Sequence, residues 1–130
     1  SGCEVEVLWA GVDYLDLNTN WPIADQFQRN AEALGRELGD KEKMWRAAAG
    51  STDMGNVTHM VPGIHPMLAA APANVVIHHP DFADYAGSEM GDAAAIDGAI
   101  ALAHTAIDYL CNSSLQVAAK NAFEVSKGLA

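Results

Sequence analysis

Between Gly87 and Cys111 the sequence carries a helical pattern that dictates much of what surrounds it. Ile96, Ile100, Ala103, Ile107 and Leu110 recur at helical spacing, and alanines, the strongest helix formers, fill much of the remainder. Ser88 suits the N-cap, and Glu89 places a negative charge at the positive end of the helix dipole. An apolar stripe of this length must lie against another layer, so these five residues are the predicted core face. A second helix opens at Asn20-Trp21-Pro22, because proline is tolerated in the first turn, where its missing N–H has no partner to lose. Ile23, Phe27, Ala31, Leu34 and Leu38 form its predicted inner face, and Gly39 its stop. Asn112-Ser113-Ser114 predicts the cap of a last helix over residues 115–127, anchored by Phe123.

Other segments read as strands. Residues 3–8 alternate, with Cys3, Val5 and Val7 on one face and Glu4 and Glu6 on the other. Residues 14–17 are a second short extended piece, broken by Asn18-Thr19-Asn20. Residues 57–61 and 64–71 are apolar and separated by Pro62-Gly63, while 74–78 is β-branched and bounded by Pro72 and Pro80. Side by side, these stretches predict a buried sheet. The expected fold class is therefore α/β, a sheet packed by long helices. Residues 40–49, charged and carrying Trp45, read as a loop.

Composition narrows the function. The 130 residues suffice for one compact domain, and the formal net charge is -10 with only seven Lys and Arg. There is no basic stripe to neutralise phosphates, and an acidic surface is repelled by anionic membranes. No apolar run approaches the ~20 residues that span a bilayer. Cys3 and Cys111 stand far apart in sequence and form no ligand-like pair, which fits a reduced, cytoplasmic setting. The chain opens with Ser1-Gly2 and enters strand-like sequence at once, as a piece of a longer protein would.

Two motifs carry chemistry. Gly50-Ser51-Thr52-Asp53-Met54-Gly55 is a tight polar loop. Its backbone N–H groups and hydroxyls could hold a substrate carboxylate or a developing oxyanion, or serve only as a capped turn. His78 and His79 end an apolar run; in extended chain neighbouring side chains point to opposite sides, so one of the two can enter a shared metal site. Pro80 holds His79 extended. Without further context a histidine here is a hydrogen-bonded structural residue. His65 and His104 read as structural, and the geometry of His59 relative to His65 is open. Trp9, Trp21 and Trp45 read as core or interface anchors.

Several unrelated motifs also occur in a telling order. They are Gly2-Cys3-Glu4-Val5, Tyr14-Leu15-Asp16-Leu17, Asn30-Ala31-Glu32 and Gly50 through Asn56. Val61-Pro62-Gly63-Ile64-His65-Pro66, His78-x-Pro80-x-Phe82 and Gly87-Ser88 follow. In this order and spacing, over roughly the first 110 residues, the chain resembles the C-terminal part of the zinc aminoacylase and carboxypeptidase family. Within that family it resembles amidohydrolases of the p-aminobenzoyl-glutamate hydrolase type.

The resemblance implies a two-domain enzyme. Residues 1–18 would be the terminal strands of a lid or dimerisation domain, and 19–130 the C-terminal part of the catalytic domain. It selects His78 as the last metal ligand and Gly50, Ser51, Thr52 and Asp53 as substrate wall. The implied cofactor is zinc, two ions in the complete enzyme, and the implied reaction is hydrolysis of an amide bond to an amino acid. The earlier ligand motifs and the Glu-Glu pair with the catalytic base are absent from this sequence, so no catalytic residue is assigned here. Activity is expected only together with the missing N-terminal part, with an amide as substrate and a homodimer as the assembly. The rival expectation is a non-enzymatic α/β module that binds or oligomerises through its first strand.

Overall fold

The computed structural model describes residues 2–9, 11–39 and 52–128. Residues 40–49, read above as a loop, lie outside them, as does Trp45. Among the described residues the ordered elements are helices: α1 (Trp21–Ala33), α2 (Met54–Thr58), α3 (Pro80–Ala86), α4 (Glu89–Cys111) and α5 (Ser113–Lys127). α1, α4 and α5 pack on one another, and α3 rests against α4.

The start of α1 is fixed by Asn20. Its side-chain oxygen accepts the Ile23 N–H at 3.4 Å, while its side-chain amide donates to the Ala119 carbonyl of α5 at 2.8 Å. One buried residue thus caps one helix and ties it to another. The end of α1 comes at Gly35 and not at Gly39. Gly35 adopts φ 82, and the N–H groups of Gly35 and Arg36 return to the carbonyls of Glu32 and Ala31. This left-handed closure satisfies carbonyls that the helix leaves open, and glycine adopts it without the penalty other residues meet. The turn aims Arg36 at α4, where its Nε lies 2.7 Å from Asp97 Oδ2.

The interface between α1 and α4 is small-residue packing with a polar flank. Phe27, Ala31 and Ala101 form a buried cluster against which Leu34, Leu38, Ile64 and Leu68 lean. Beside it, Asp108 Oδ2 accepts from Gln26 Nε2 at 2.6 Å and from Asn30 Nδ2 at 2.9 Å. Asn30 also donates to Thr105 Oγ1, whose hydroxyl bonds the Ala101 carbonyl. Leu115, Ala119 and Phe123 bring α5 into the core, with Asn112 capping its first turn through the N–H groups of Ser114 and Leu115.

Two further expectations fail here. The first is the α/β fold: among the described residues there is no sheet, and the extended pairing is a single parallel bridge between Thr19 and Gly63. Val57 and Thr58 belong to the short helix α2, residues 64–71 run as an arm without regular secondary structure, and 74–78 is turn. Residues 3–8 have no regular secondary structure and no strand partner among the described residues. β-branched composition makes a strand only when a neighbour supplies the ladder, and Pro66 removes one donor from the arm.

The second concerns α4. Its buried residues are Gly91, Ala94, Ala101 and Thr105, not the isoleucine stripe. Ile96, Ile107 and Leu110 are 60%, 57% and 73% exposed, and Ala103 is exposed as well. The close approach of α1 selects small side chains, so the bulky apolar face is turned outward. By length and composition alone α4 qualifies as a membrane span. Its Asp97 and Asp108, however, are both held by side chains that pack alongside them.

Candidate functional site

Thr52 and Asp53 lead directly into α2, and their backbone carbonyls accept the N–H groups of Gly55 and Asn56, both at 3.1 Å. The Thr52 hydroxyl accepts the Met54 N–H at 3.3 Å, the local capping geometry of a turn. Asp53 occupies the N-cap position without a side-chain capping bond and is exposed. Gly50 and Ser51, the other two predicted wall residues, lie outside the described residues.

α2 is held against residues 13–18. Asn56 Oδ1 accepts the Leu15 N–H at 2.9 Å, and Asn56 Nδ2 donates to the Asp13 carbonyl at 3.1 Å. Thr58 Oγ1 accepts the Asn18 N–H at 3.0 Å and bonds the Gly55 carbonyl. His59 Nε2 sits 3.1 Å from the Asp16 carbonyl and 3.2 Å from its carboxylate. Gly55 is the point of closest approach: a Cβ there would overlap the Leu15 carbonyl oxygen, so only glycine lets the two segments meet. None of these partners follows from a motif, although Gly55, Asn56 and His59 share one side of a short helix, a polar grouping that could have marked it.

His78 is not in extended chain. The His79 N–H bonds the Val76 carbonyl, closing a turn in which His78 takes φ 65. A positive φ at the third residue is the geometry of a type II turn, where glycine or asparagine is usual. A histidine there is uncommon and carries backbone strain. Its imidazole is exposed, and no hydrogen bond engages it among the described residues. His79 is extended as expected, with φ -96 and ψ 148, but serves as N-cap of α3, its Nδ1 accepting from the Asp81 N–H.

The other histidines divide as follows. His59 is bound to Asp16, while His65 and His104 are exposed. No cluster of three or more His, Cys, Asp or Glu able to hold a metal ion occurs among the described residues. Trp9 is 90% exposed and Trp21 also reaches solvent, so neither anchors the core of this chain.

No family model matches the chain. It is 34% identical over 115 residues to the Xaa-Arg dipeptidase of Homo sapiens, an alignment that covers 88% of this chain and 26% of that protein. The Xaa-Arg dipeptidase of Mus musculus is 29% identical over 124 residues, 95% of this chain and 28% of its own length. Similarity to these dipeptidases runs through almost the whole chain. The chain spans about a quarter of the length of the curated relatives it matches.

Proposed function

We propose that this chain is the C-terminal part of a metal-dependent amidohydrolase that cleaves an amide bond to an amino acid. Residues 1–18 end its lid domain and 19–130 complete its catalytic domain. The observation that carries the reading is the similarity to Xaa-Arg dipeptidases over 88% of the chain.

The surface supports it. Large apolar side chains reach solvent: the Ile96, Ile100, Ile107 and Leu110 stripe, Val5, Leu8, Met60 and Val76. Contiguous exposed apolar surface marks an interaction face. In the complete protein the preceding polypeptide covers that stripe and supplies the strands which residues 3–8 lack.

In this reading His78 contributes one imidazole to a zinc site, and the catalytic base and other ligands come from the preceding polypeptide. An imidazole is a preferred nitrogen donor for zinc, and His78 presents its ring to solvent from a strained turn. Strain of this kind gathers at ligand sites, where surrounding structure holds it in place. Zinc, when bound, polarises the amide carbonyl and activates water for attack. Gly50, Ser51, Thr52 and Asp53 are assigned the role of substrate wall in this reading, which backbone N–H groups and hydroxyls suit. A second metal ion would draw on carboxylates outside this chain. Cys3 and Cys111 are free and exposed, consistent with a cytoplasmic setting.

Charge separates two substrate classes. The 130 residues carry a formal net charge of -10, and where that charge borders the substrate it favours a cationic dipeptide ending in arginine, as named for the relatives, over the dianionic glutamate of p-aminobenzoyl-glutamate. The arginine dipeptide is therefore the first substrate to offer. The test is hydrolysis by the full-length protein with added zinc, both substrates compared across ionic strength. Cleavage of the arginine dipeptide, slowing as salt rises, is the expected result. No cleavage of either, with stable oligomers formed by the 130-residue chain through residues 2–9, would favour the binding-module reading instead.

A further inference from the structure

Asn56 binds two backbone groups of one neighbouring segment at once. It accepts the Leu15 N–H at 2.9 Å and donates to the Asp13 carbonyl at 3.1 Å, the pattern by which an adjacent strand would bind that stretch. Its own backbone N–H, at the same time, returns to the Asp53 carbonyl, and the Gly55 N–H to Thr52. One residue therefore links residues 13–15 to the turn that presents Thr52 and Asp53. Thr58 repeats the link three residues on in chain at Asn18, and His59 at Asp16. The absence of a side chain at Gly55 brings the two backbones close enough for all of these bonds to form together.

We infer that Asn56 is a positioning residue: it clamps residues 13–18 to the Thr52–Asp53 turn, so that the incoming segment and the substrate wall move as one body. This rests on the hydrolase reading for its effect on turnover, but not for the clamp itself. Without Asn56, Thr58 and His59 still tie the C-terminal end of α2 to Asn18 and Asp16, but residues 13–15 lose their hold on the start of α2, and their displacement no longer carries the wall with it. A wall displaced by even about 1 Å loses productive alignment of a substrate, which costs up to about a hundredfold in rate.

The experiment compares Asn56→Ala and Asn56→Asp with wild type in the full-length protein, reading amide exchange at single residues alongside kcat and KM. Asn56→Ala should speed exchange at Leu15, Gly55 and position 56 together, by about tenfold, since net hydrogen bonds of this kind are modest. It should lower kcat/KM mainly through kcat, with the global melting temperature nearly unchanged. Asn56→Asp keeps an acceptor for the Leu15 N–H but loses the donor to Asp13, and should fall between the two in both readouts. Faster exchange at Leu15 alone, unchanged exchange at all three amides, or faster exchange with unaltered kcat/KM would overturn the inference. A wild-type protein inactive on every amide offered overturns the hydrolase reading instead, and the exchange pattern alone then decides the clamp.

Discussion

Ala31 of α1 and Ala101 of α4 are both completely buried, in one cluster with Phe27. Two methyl groups set the separation of the helices at that point. Ala101→Leu should therefore destabilise the fold by about 1–3 kcal/mol through overpacking. Ala101→Ser, close in volume, should cost less. Urea unfolding monitored by circular dichroism measures both.

Asn20 caps α1 and holds the Ala119 carbonyl from the same side chain. Asn20→Ala removes both interactions inside the protein, where water cannot replace them. The expected loss is about 1–3 kcal/mol, more than a surface cap gives. Asn20→Asp keeps the acceptor for Ile23 but presents a carboxylate to the Ala119 carbonyl, and should do no better. Denaturant midpoints of the two variants provide the check.

The proposed metal role of His78 predicts opposite effects on function and stability. Glycine accepts a positive φ that costs other residues about 1–2 kcal/mol. His78→Gly should leave the full-length protein as stable as wild type or slightly more so while, on the proposed hydrolase reading, bound metal and amide hydrolysis fall steeply. His78→Ala should lose the metal as well, without the gain in stability. Metal analysis and thermal melts on the same samples distinguish a ligand from a turn residue; zinc retained in both variants would remove His78 from the metal site.

The outward stripe of α4 makes opposite demands in the two contexts. Ile100→Glu with Ile107→Glu should leave the helix content of the 130-residue chain unchanged and reduce its self-association. In the full-length protein the same pair should prevent folding, since it would bury two unpaired carboxylates. Light scattering and soluble yield report the difference.

Helices α1, α4 and α5 were legible in the sequence because their signals are local, whereas α2, on residues read as loop and strand, and α3 were not expected. Asn20, Ser88 and Asn112 stand where caps were expected, and Phe27, Ala31 and Phe123 are buried as their spacing predicts. Even so, Ser88 turns its hydroxyl back to the Tyr85 carbonyl instead of bonding the first turn of α4. What sequence could not supply was the partner. Periodicity shows that Ile96 and Ile107 share a face, but not whether this chain or another part of the protein covers it. The same limit applies to the valines at 5 and 7, which read as strand residues yet have no ladder to join among the described residues. The Arg36–Asp97 pair and the Asn56 bonds to residues 13–15 join positions far apart in sequence, and no spacing rule announces them. The left-handed turn at His78 was hidden because histidine is not the residue such a turn calls for.

Asn112 ends α4 and begins α5 with no residue between, its carboxamide serving the second helix while its own N–H closes the first. That joint has no slack. One inserted residue would advance the phase of α5 by about 100° relative to α4, swinging Leu115, Ala119 and Phe123 out of the core together. The length of this connection is thus as much a determinant of the fold as any side chain it carries.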